Sequence, residues 1–379
     1  MDARSLIDKA CIVGVGATPQ GKMPGMTGDD LAVMAVKAAL ADAPIKKSEI
    51  DTLIVQRSFG GQGGVREVGH LLGIDPALAF NVNYHGEALI TALALIASGS
   101  SQVVAMCYGT NQRTNRNPFA DPSMHVGGNF EAVYGLFSPA STAAFSFRRR
   151  MHDFGATEAQ LGAIAVAQSK AAALNPLAVY RDVLTLDQYL ASAYLIAPLR
   201  LYDFCMVSDG GFAVILMASD QATSASKPPV WISGLGYQTN FTEIDHPNAM
   251  DQPAHALNAR RLWESTDFDQ DDIDVVYIQD PYTPVVLNVL EAFRFCDPGT
   301  AHEWIQGGRI ELHGDMPINI NGGQNRMTYM VGWQHTYDAV MQLRNEAEER
   351  SRQVTNCRVV LCVYSSGVGQ ETSSAIYRL

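Results

Sequence analysis

Short β-branched runs alternate along the chain with longer stretches whose apolar residues recur every three or four positions. This alternation predicts strands joined by helices. "ACIVGVGATP" near the start reads as a strand, "DDLAVMAVKAALADA" as a helix, and "EIDTLIVQ" (Glu49–Gln56) as a second strand. The same order returns with "VWISGLGYQTN" (Val230–Asn240), "AHALNARRLWEST" and "DIDVVYIQ" (Asp272–Gln279). Each second strand carries an Ile-Asp pair, a β-branched run and then Gln. Two copies of one α/β half are therefore expected.

Within the first half, "NVNYHGEALITALALIASGSSQVVAMCYG" reads as a buried helix leading through Gly99 into a strand. Its most apolar run, Ala88–Ala97, is too short to cross a bilayer. The final "CRVVLCVYSSGVGQETSSAIYRL" reads as two strands around a Gly/Ser turn. From Thr110 to about Leu199 runs an excursion rich in Pro, Asn and Met, with a helix near "TEAQLGAIAVAQSKAAAL". Long excursions of this kind are usually lids or interface elements. "SASKPPVW" (Ser224–Trp231) has no helix or strand pattern. The expected division is an N-terminal half, 1–225, including the excursion at about 110–199, and a C-terminal half, 226–379.

Composition narrows the function. The 379 residues suffice for two domains with a sizeable core. With 39 acidic against 27 basic residues the net charge is -12, so nucleic acid is not an expected partner. The run Arg148, Arg149, Arg150 leaves room for a local phosphate pocket, although such runs are more often solvated or paired. The six cysteines form no CxxC pair and have no zinc spacing with histidine. No metal is expected on this chain, and a reducing, cytoplasmic compartment fits. The N-terminus carries no apolar signal-peptide core. "GGQGG" (Gly60–Gly64) lacks the Lys-Ser/Thr of a phosphate loop, and "HVGGNF", with His125, belongs to the excursion.

Three long segments then stand out in order: "ALNPLAVYRDVLTLDQYLASAYLIAPLRLYDFCMVSDGG", "QDPYTPVVLNVLEAFRFC" and "NINGGQNRMTYMVGW". Through them nearly the whole chain resembles the thiolase superfamily, in its lipid-transfer and sterol-carrier branch. The resemblance implies the thiolase fold: two similar α/β halves in a five-layer α-β-α-β-α arrangement. Each half would have a five-stranded mixed sheet, and the two central helices would pack between the sheets. In the glycine motif Asn319, Gly322, Gly323 and Gly332 fall in register, and Tyr329 stands where thiolases carry histidine. In the other motif Gln279 takes the histidine place, Asp280 is kept and Tyr282 replaces phenylalanine.

The departures exclude ordinary thiolysis. The nucleophilic cysteine would fall within "VNYHGE" (Val82–Glu87), which holds no Cys, Ser or Thr. Cys107 is well beyond that helix. Val363 occupies the place of the second cysteine, and Cys362, one residue off, should face the other way by strand alternation.

Among thiolase-like proteins the chain resembles most the bacterial steroid side-chain-cleaving aldolases. Their reaction is retro-aldol cleavage of a β-hydroxyacyl-CoA to a ketone and a shortened acyl-CoA such as propanoyl-CoA. Such a reaction needs a base for the β-hydroxyl, donors around the thioester oxygen and an acid for the enolate carbon. It needs no acyl-enzyme and no cofactor; the coenzyme A thioester is substrate.

On this reading Tyr282 serves the hydroxyl proton and Tyr329 the enolate carbon, or the reverse, and Asp280 acts directly or orients Tyr282. Asn319 with the amides of Gly322 and Gly323, the Gly332 turn, His85 and His335 would form the substrate site. Plainer roles stand beside these: an aromatic packing position for Tyr282, a helix-opening position for His335, and simply forming the turn for Asn319 and the amides of Gly322 and Gly323. The resemblance also implies a homodimer built through the first half. A small OB-fold protein with a zinc ribbon would complete a heterotetramer. The competing reading is a non-catalytic thiolase-like subunit that binds acyl-CoA or stabilises a partner enzyme.

Overall fold

The computed structural model describes residues 3–43, 45–57, 64–115, 138–224, 227–239, 253–347, 351–365 and 371–379. The glycines 60–63, His125 with its segment and the expected boundary at 225–226 lie outside them. The first half comprises β1 (Ala10–Ala17), α1 (Gly28–Asp42), β2 (Thr52–Gln56), α2 (Val65–Leu72), β3 (Leu78–Val82), α3 (His85–Ala97) and β4 (Val103–Asn111). The excursion follows with α4 (Gln112–Asn115), α5 (Pro139–Phe154), α6 (Glu158–Leu174), α7 (Leu186–Ala191) and the hairpin β5 (Tyr194–Ile196) and β6 (Leu199–Arg200). β7 (Asp209–Ala218) returns to the sheet. The second half comprises β8 (Val230–Thr239), α8 (Pro253–Ser265), β9 (Val275–Ile278), α9 (Thr283–Ala292), α10 (Ala301–Trp304), α11 (Trp333–Leu343), β10 (Val359–Ser365) and β11 (Glu371–Arg378).

The repeat predicted from sequence is present, with one change. The strands run in the order β3-β2-β4-β7-β1-β8-β11-β10-β9. Five belong to the first half and four to the second, and the two sets join edge to edge where Cys11 and Ile12 pair with Trp231 and Val230. The fifth strand expected of the second half is reduced to a parallel bridge between Val276 and Ile318. The cause is local. Pro317 has no N–H to give, and Asn319, at φ 49, leaves the extended region. The Asn319 side chain takes over the ladder: its Oδ1 accepts from the Ile278 N–H at 2.7 Å and its Nδ2 donates to the Ile278 carbonyl at 2.9 Å.

The repeated Ile-Asp pair has one structural job in both halves. Asp51 accepts from the amides of Gln102 and Val103 at the start of β4, and Asp274 from those of Arg358 and Val359 at the start of β10. Each carboxylate therefore satisfies backbone donors at the entrance of the neighbouring strand.

Alternation along the strands splits the apolar side chains into three bodies. Val13, Leu53, Ala105 and Ile215 face α1 and α2. Val276, Leu361, Val363 and Ile376 face α8 and α9. Ile12, Ile54, Met106, Leu235, Val360 and Ala375 meet in the middle, where α3 supplies Leu89 and Leu93 and α11 supplies Trp333, Val340 and Leu343. Both central helices thus lie between strands of the two halves, giving the five layers. The excursion is placed where no periodicity foretold: Phe147 of α5 and Leu161 and Ile164 of α6 pack into the outer layer of the second half. Among the described residues no helix is long and apolar enough to cross a membrane.

Candidate active site

Two loops and the start of a central helix converge. β9 ends at Ile278 and runs through Gln279, Asp280 and Pro281 to Tyr282, the N-cap of α9. The segment Asn319–Gly332 leads into α11 and is strained: it contains a π-turn over Gly323–Met327 and the β-branched Val331 at φ 46. Such backbone costs about 1–3 kcal/mol and persists only where its surroundings hold it. Here Ser208 holds it. Its Oγ accepts the Tyr329 amide at 3.0 Å and bonds the Thr328 hydroxyl at 2.7 Å, while Thr328 also donates to Gln20 at 2.9 Å.

Asp280 is buried at the centre of this arrangement. Its Oδ1 accepts the Gln324 amide at 3.0 Å, and its Oδ2 accepts Gln168 Nε2 of α6 at 2.6 Å. Burial pushes its carboxyl up to about 7, because these hydrogen bonds favour the charged form without offsetting desolvation. His335 stands behind it, with Nε2 3.9 Å from Oδ1. The Gly323 amide donates to Asn321 Oδ1, so Asn321 Nδ2 faces His335 Nδ1 at 3.0 Å. His335 Nδ1 therefore accepts from Asn321, and its Nε2 lies 3.2 Å from Gln334 Nε2. Burial pushes this imidazole down to about 3, so it stays neutral.

Gly323 permits this packing. At φ +61, a Cβ there would stand 2.5 Å from Gln168 Nε2 and 2.6 Å from Asp280 Oδ2. Gly323→Ala should cost about 1–3 kcal/mol in chemical denaturation and lower activity with it. A variant as stable as the parent would refute the close approach.

Tyr329 is buried in the central core, and Tyr282 is half-buried with its ring edge-on to Phe204 at 5.6 Å. Burial holds the Tyr329 hydroxyl well above the usual phenol range, followed by its electrostatic neighbours Cys205, Tyr108, Tyr282 and Tyr84. Burial and then Cys205 raise Tyr282 likewise. The two tyrosines singled out from sequence are thus brought together. Cys205, Tyr84, Tyr108 and Gln168 join them and were not found from sequence. Tyr84 stands within "VNYHGE", a stretch read for a missing nucleophile and for His85.

Other expectations are corrected. Asn319 bonds Ile278 through both ends of its amide and is also a hydrogen-bond partner of the Asp280 carboxyl, so it shapes the loop, the plainer of its two expected roles. Gly322 and Gly332 serve close packing, since a Cβ would stand 2.7 Å from that of Ala172 and 2.6 Å from the Tyr364 ring respectively. His85 opens α3 but is enclosed: it stacks on Tyr364 with centroids 4.1 Å apart, meets Trp333 edge-on, and bonds Thr336 Oγ1 through Nε2 at 3.0 Å. His85 and His335 are therefore packing and support groups. Val363 faces the outer layer, and Cys362 faces the central one. Cys362 is nevertheless sealed within β10, and burial raises its thiol. Cys107 faces the outer layer, pushed up to about 12 by burial. α3 starts at His85 with Tyr84 as its N-cap, so no thiol stands there.

Comparison with known proteins agrees with this geometry. The "Thiolase C-terminal domain-like" family model matches residues 239–378. The steroid side-chain-cleaving aldolase of Thermomonospora curvata is 32% identical over 97% of both chains. The 17-hydroxy-3-oxo-4-pregnene-20-carboxyl-CoA lyase of Mycobacterium tuberculosis is 31% identical over 98% of this chain and 99% of its own. Among solved structures, the Ltp2-ChsH2(DUF35) aldolase has a TM-score of 0.88 at 30% identity, covering 98% of both chains.

Proposed function

We infer the activity from one premise: this chain belongs to the thiolase-like family, in its sterol-carrier branch, together with the steroid side-chain-cleaving aldolases. The reaction we assign is retro-aldol cleavage of a β-hydroxyacyl-CoA with a steroid side chain. Its products are a ketone and a shortened acyl-CoA such as propanoyl-CoA. One observation carries the reading. A buried carboxyl raised to about 7 stands two residues before Tyr282 and is bonded to the loop that carries Tyr329, and no thiol stands at the start of α3, where an acyl-transferring relative would need one.

Burial also suggests how the roles divide. Both phenols are held above their usual range and keep their protons at neutral pH. Asp280 is then the base, removing the β-hydroxyl proton directly or through Tyr282. As the C–C bond breaks, charge moves onto the thioester oxygen, and Tyr329 presents its hydroxyl to the enolate. Incubating the protein with a steroid β-hydroxyacyl-CoA should release ketone and short acyl-CoA in equal amounts. A protein that binds the thioester but never cleaves it, with or without its partner, would be the non-catalytic subunit instead.

No acyl-enzyme takes part, so Cys107→Ala and Cys362→Ala should keep turnover within about twofold while losing some stability. Loss of activity in either, with a normal melting curve, would restore a covalent mechanism.

The assembly we propose is a homodimer through the first half with two copies of a DUF35-type partner, a small OB-fold protein with a zinc ribbon, in the cytoplasm. The zinc is placed in the partner because the cysteines and histidines of this chain carry no zinc-ligand spacing. Sedimentation of the purified chain as a fully active monomer would overturn this assembly.

A further inference from the structure

Tyr282 caps α9 without a hydrogen bond from its side chain to the helix, so its own element does not fix its ring. The segment Asp203–Cys205, between β6 and β7, lies beside it. Phe204 pairs with Tyr282 in an antiparallel bridge and meets its ring edge-on at 5.6 Å. The Cys205 amide donates to the Pro281 carbonyl at 2.9 Å. Two neighbouring residues thus hold the backbone on one side of Tyr282 and the ring itself.

Asp203 holds the other side. It is buried, and its Oδ1 accepts the hydroxyl of Thr283, the first residue of α9, at 2.5 Å. Its Oδ2 accepts the Arg200 amide at 2.7 Å, and the Tyr189 hydroxyl donates to the carboxylate at 2.9 and 3.0 Å. Tyr189 of α7 is itself fixed against α6: a Cβ on Gly162 would stand 2.6 Å from its ring. The Arg200 guanidinium pairs with Glu158 at 2.8 Å, so the Asp203 carboxylate is met by neutral donors. Burial pushes this carboxyl up to about 6 against the pull of those donors, with Glu158 adding to the rise. It is still ionised at neutral pH, and a hydrogen bond to a charged acceptor is stronger and more directional than one between neutral groups. Its charge also sits at the N-terminal end of α9, where a negative charge is favoured.

Resting on the aldolase reading, we propose that the bond from Thr283 to Asp203 is a positioning contact that aims the Tyr282 hydroxyl at the reacting β-hydroxyl. The excursion then does more than cover the second half. It clamps the residues on both sides of a catalytic phenol, Pro281 through Cys205 and Thr283 through Asp203.

The test uses the protein with its partner and reads kcat and KM separately, above the range in which the carboxyls titrate. Thr283→Val keeps the shape and removes the hydroxyl. It should lower kcat about 10- to 100-fold with KM nearly unchanged, because the phenol is misplaced while the substrate contacts remain. Thr283→Ser should recover most of the rate. In a Tyr282→Phe background the same Thr283→Val change should cost less than about twofold, since there is no hydroxyl left to aim. Tyr189→Phe removes a bond to the same carboxylate that does not reach Tyr282, so it should lower the melting temperature yet keep turnover within about twofold. Asp203→Ala, corrected for its folded fraction, should match Thr283→Val. Full kcat in Thr283→Val, or a loss that persists undiminished in the Tyr282→Phe background, would overturn the proposal and leave the aldolase reading intact. A wild-type protein that cleaves no β-hydroxyacyl-CoA would overturn the aldolase reading, and this proposal with it.

Discussion

Tyr329→Phe should fold normally and cleave a β-hydroxyacyl-CoA about 10²- to 10⁴-fold more slowly than the parent. The ring fills a place in the central core, and phenylalanine fills it equally. The loop is fastened through the Tyr329 amide and Ser208, which the substitution does not touch. The cost to stability is then one buried hydroxyl, about 0.5–1.5 kcal/mol. The effect on turnover is far larger, because the hydroxyl faces developing charge in a site from which water is largely excluded. Tyr282→Phe should show the same pattern with less effect on stability, since this ring is only half-buried. If the two phenols serve one transition state, the double variant should lose much less than the product of the single losses. Steady-state kinetics with a thermal melt on each variant decide the matter. Two active Phe variants beside a dead cysteine variant would remove the tyrosines from the mechanism.

The fold could be read because both halves repeat the same periods, and an Ile-Asp pair marks the same strand entrance in each. Tyr282, Tyr329 and Asp280 could be singled out because they lie in two motifs, Tyr329 in the place of a histidine and Tyr282 in the place of a phenylalanine beside the retained Asp280. What sequence could not supply was direction and neighbourhood. Alternation said that Cys362 and Val363 face opposite ways, but only the fold shows that Cys362 is the one turned to the central layer. Asn319 looked like a ligand group because its amide is polar. Only the short edge at Ile318 explains why that amide is needed by the backbone. Gln168, Cys205 and Tyr84 come from three separate segments. None has a motif of its own, and topology alone brings them together. The excursion could be recognised by its length, yet nothing in its pattern said that it would cover the second half and hand Gln168 to Asp280.

Asp280→Asn is the complementary experiment, and it should abolish most turnover, by about 10²- to 10⁴-fold, without unfolding the protein. The asparagine can keep the local hydrogen bonds. Its Oδ1 can accept the Gln324 amide as the carboxylate did. Its Nδ2 would face Gln168, whose Oε1 has no hydrogen-bond partner, so a half-turn of that side-chain amide restores the bond. The stability change has a definite sign. The carboxyl is raised from 3.8 to about 7 in the fold, so between roughly those pH values the folded protein holds a proton that the unfolded chain has released. Wild-type stability should therefore decline as pH rises through that window, and the asparagine variant should lack this contribution to the decline. Activity runs the other way. A base works when ionised, so wild-type kcat/KM should rise through pH about 7. The residual activity of the asparagine variant should have no acid limb. An acid limb that survives the substitution would place the base elsewhere and leave Asp280 as a support for the Gly323 turn.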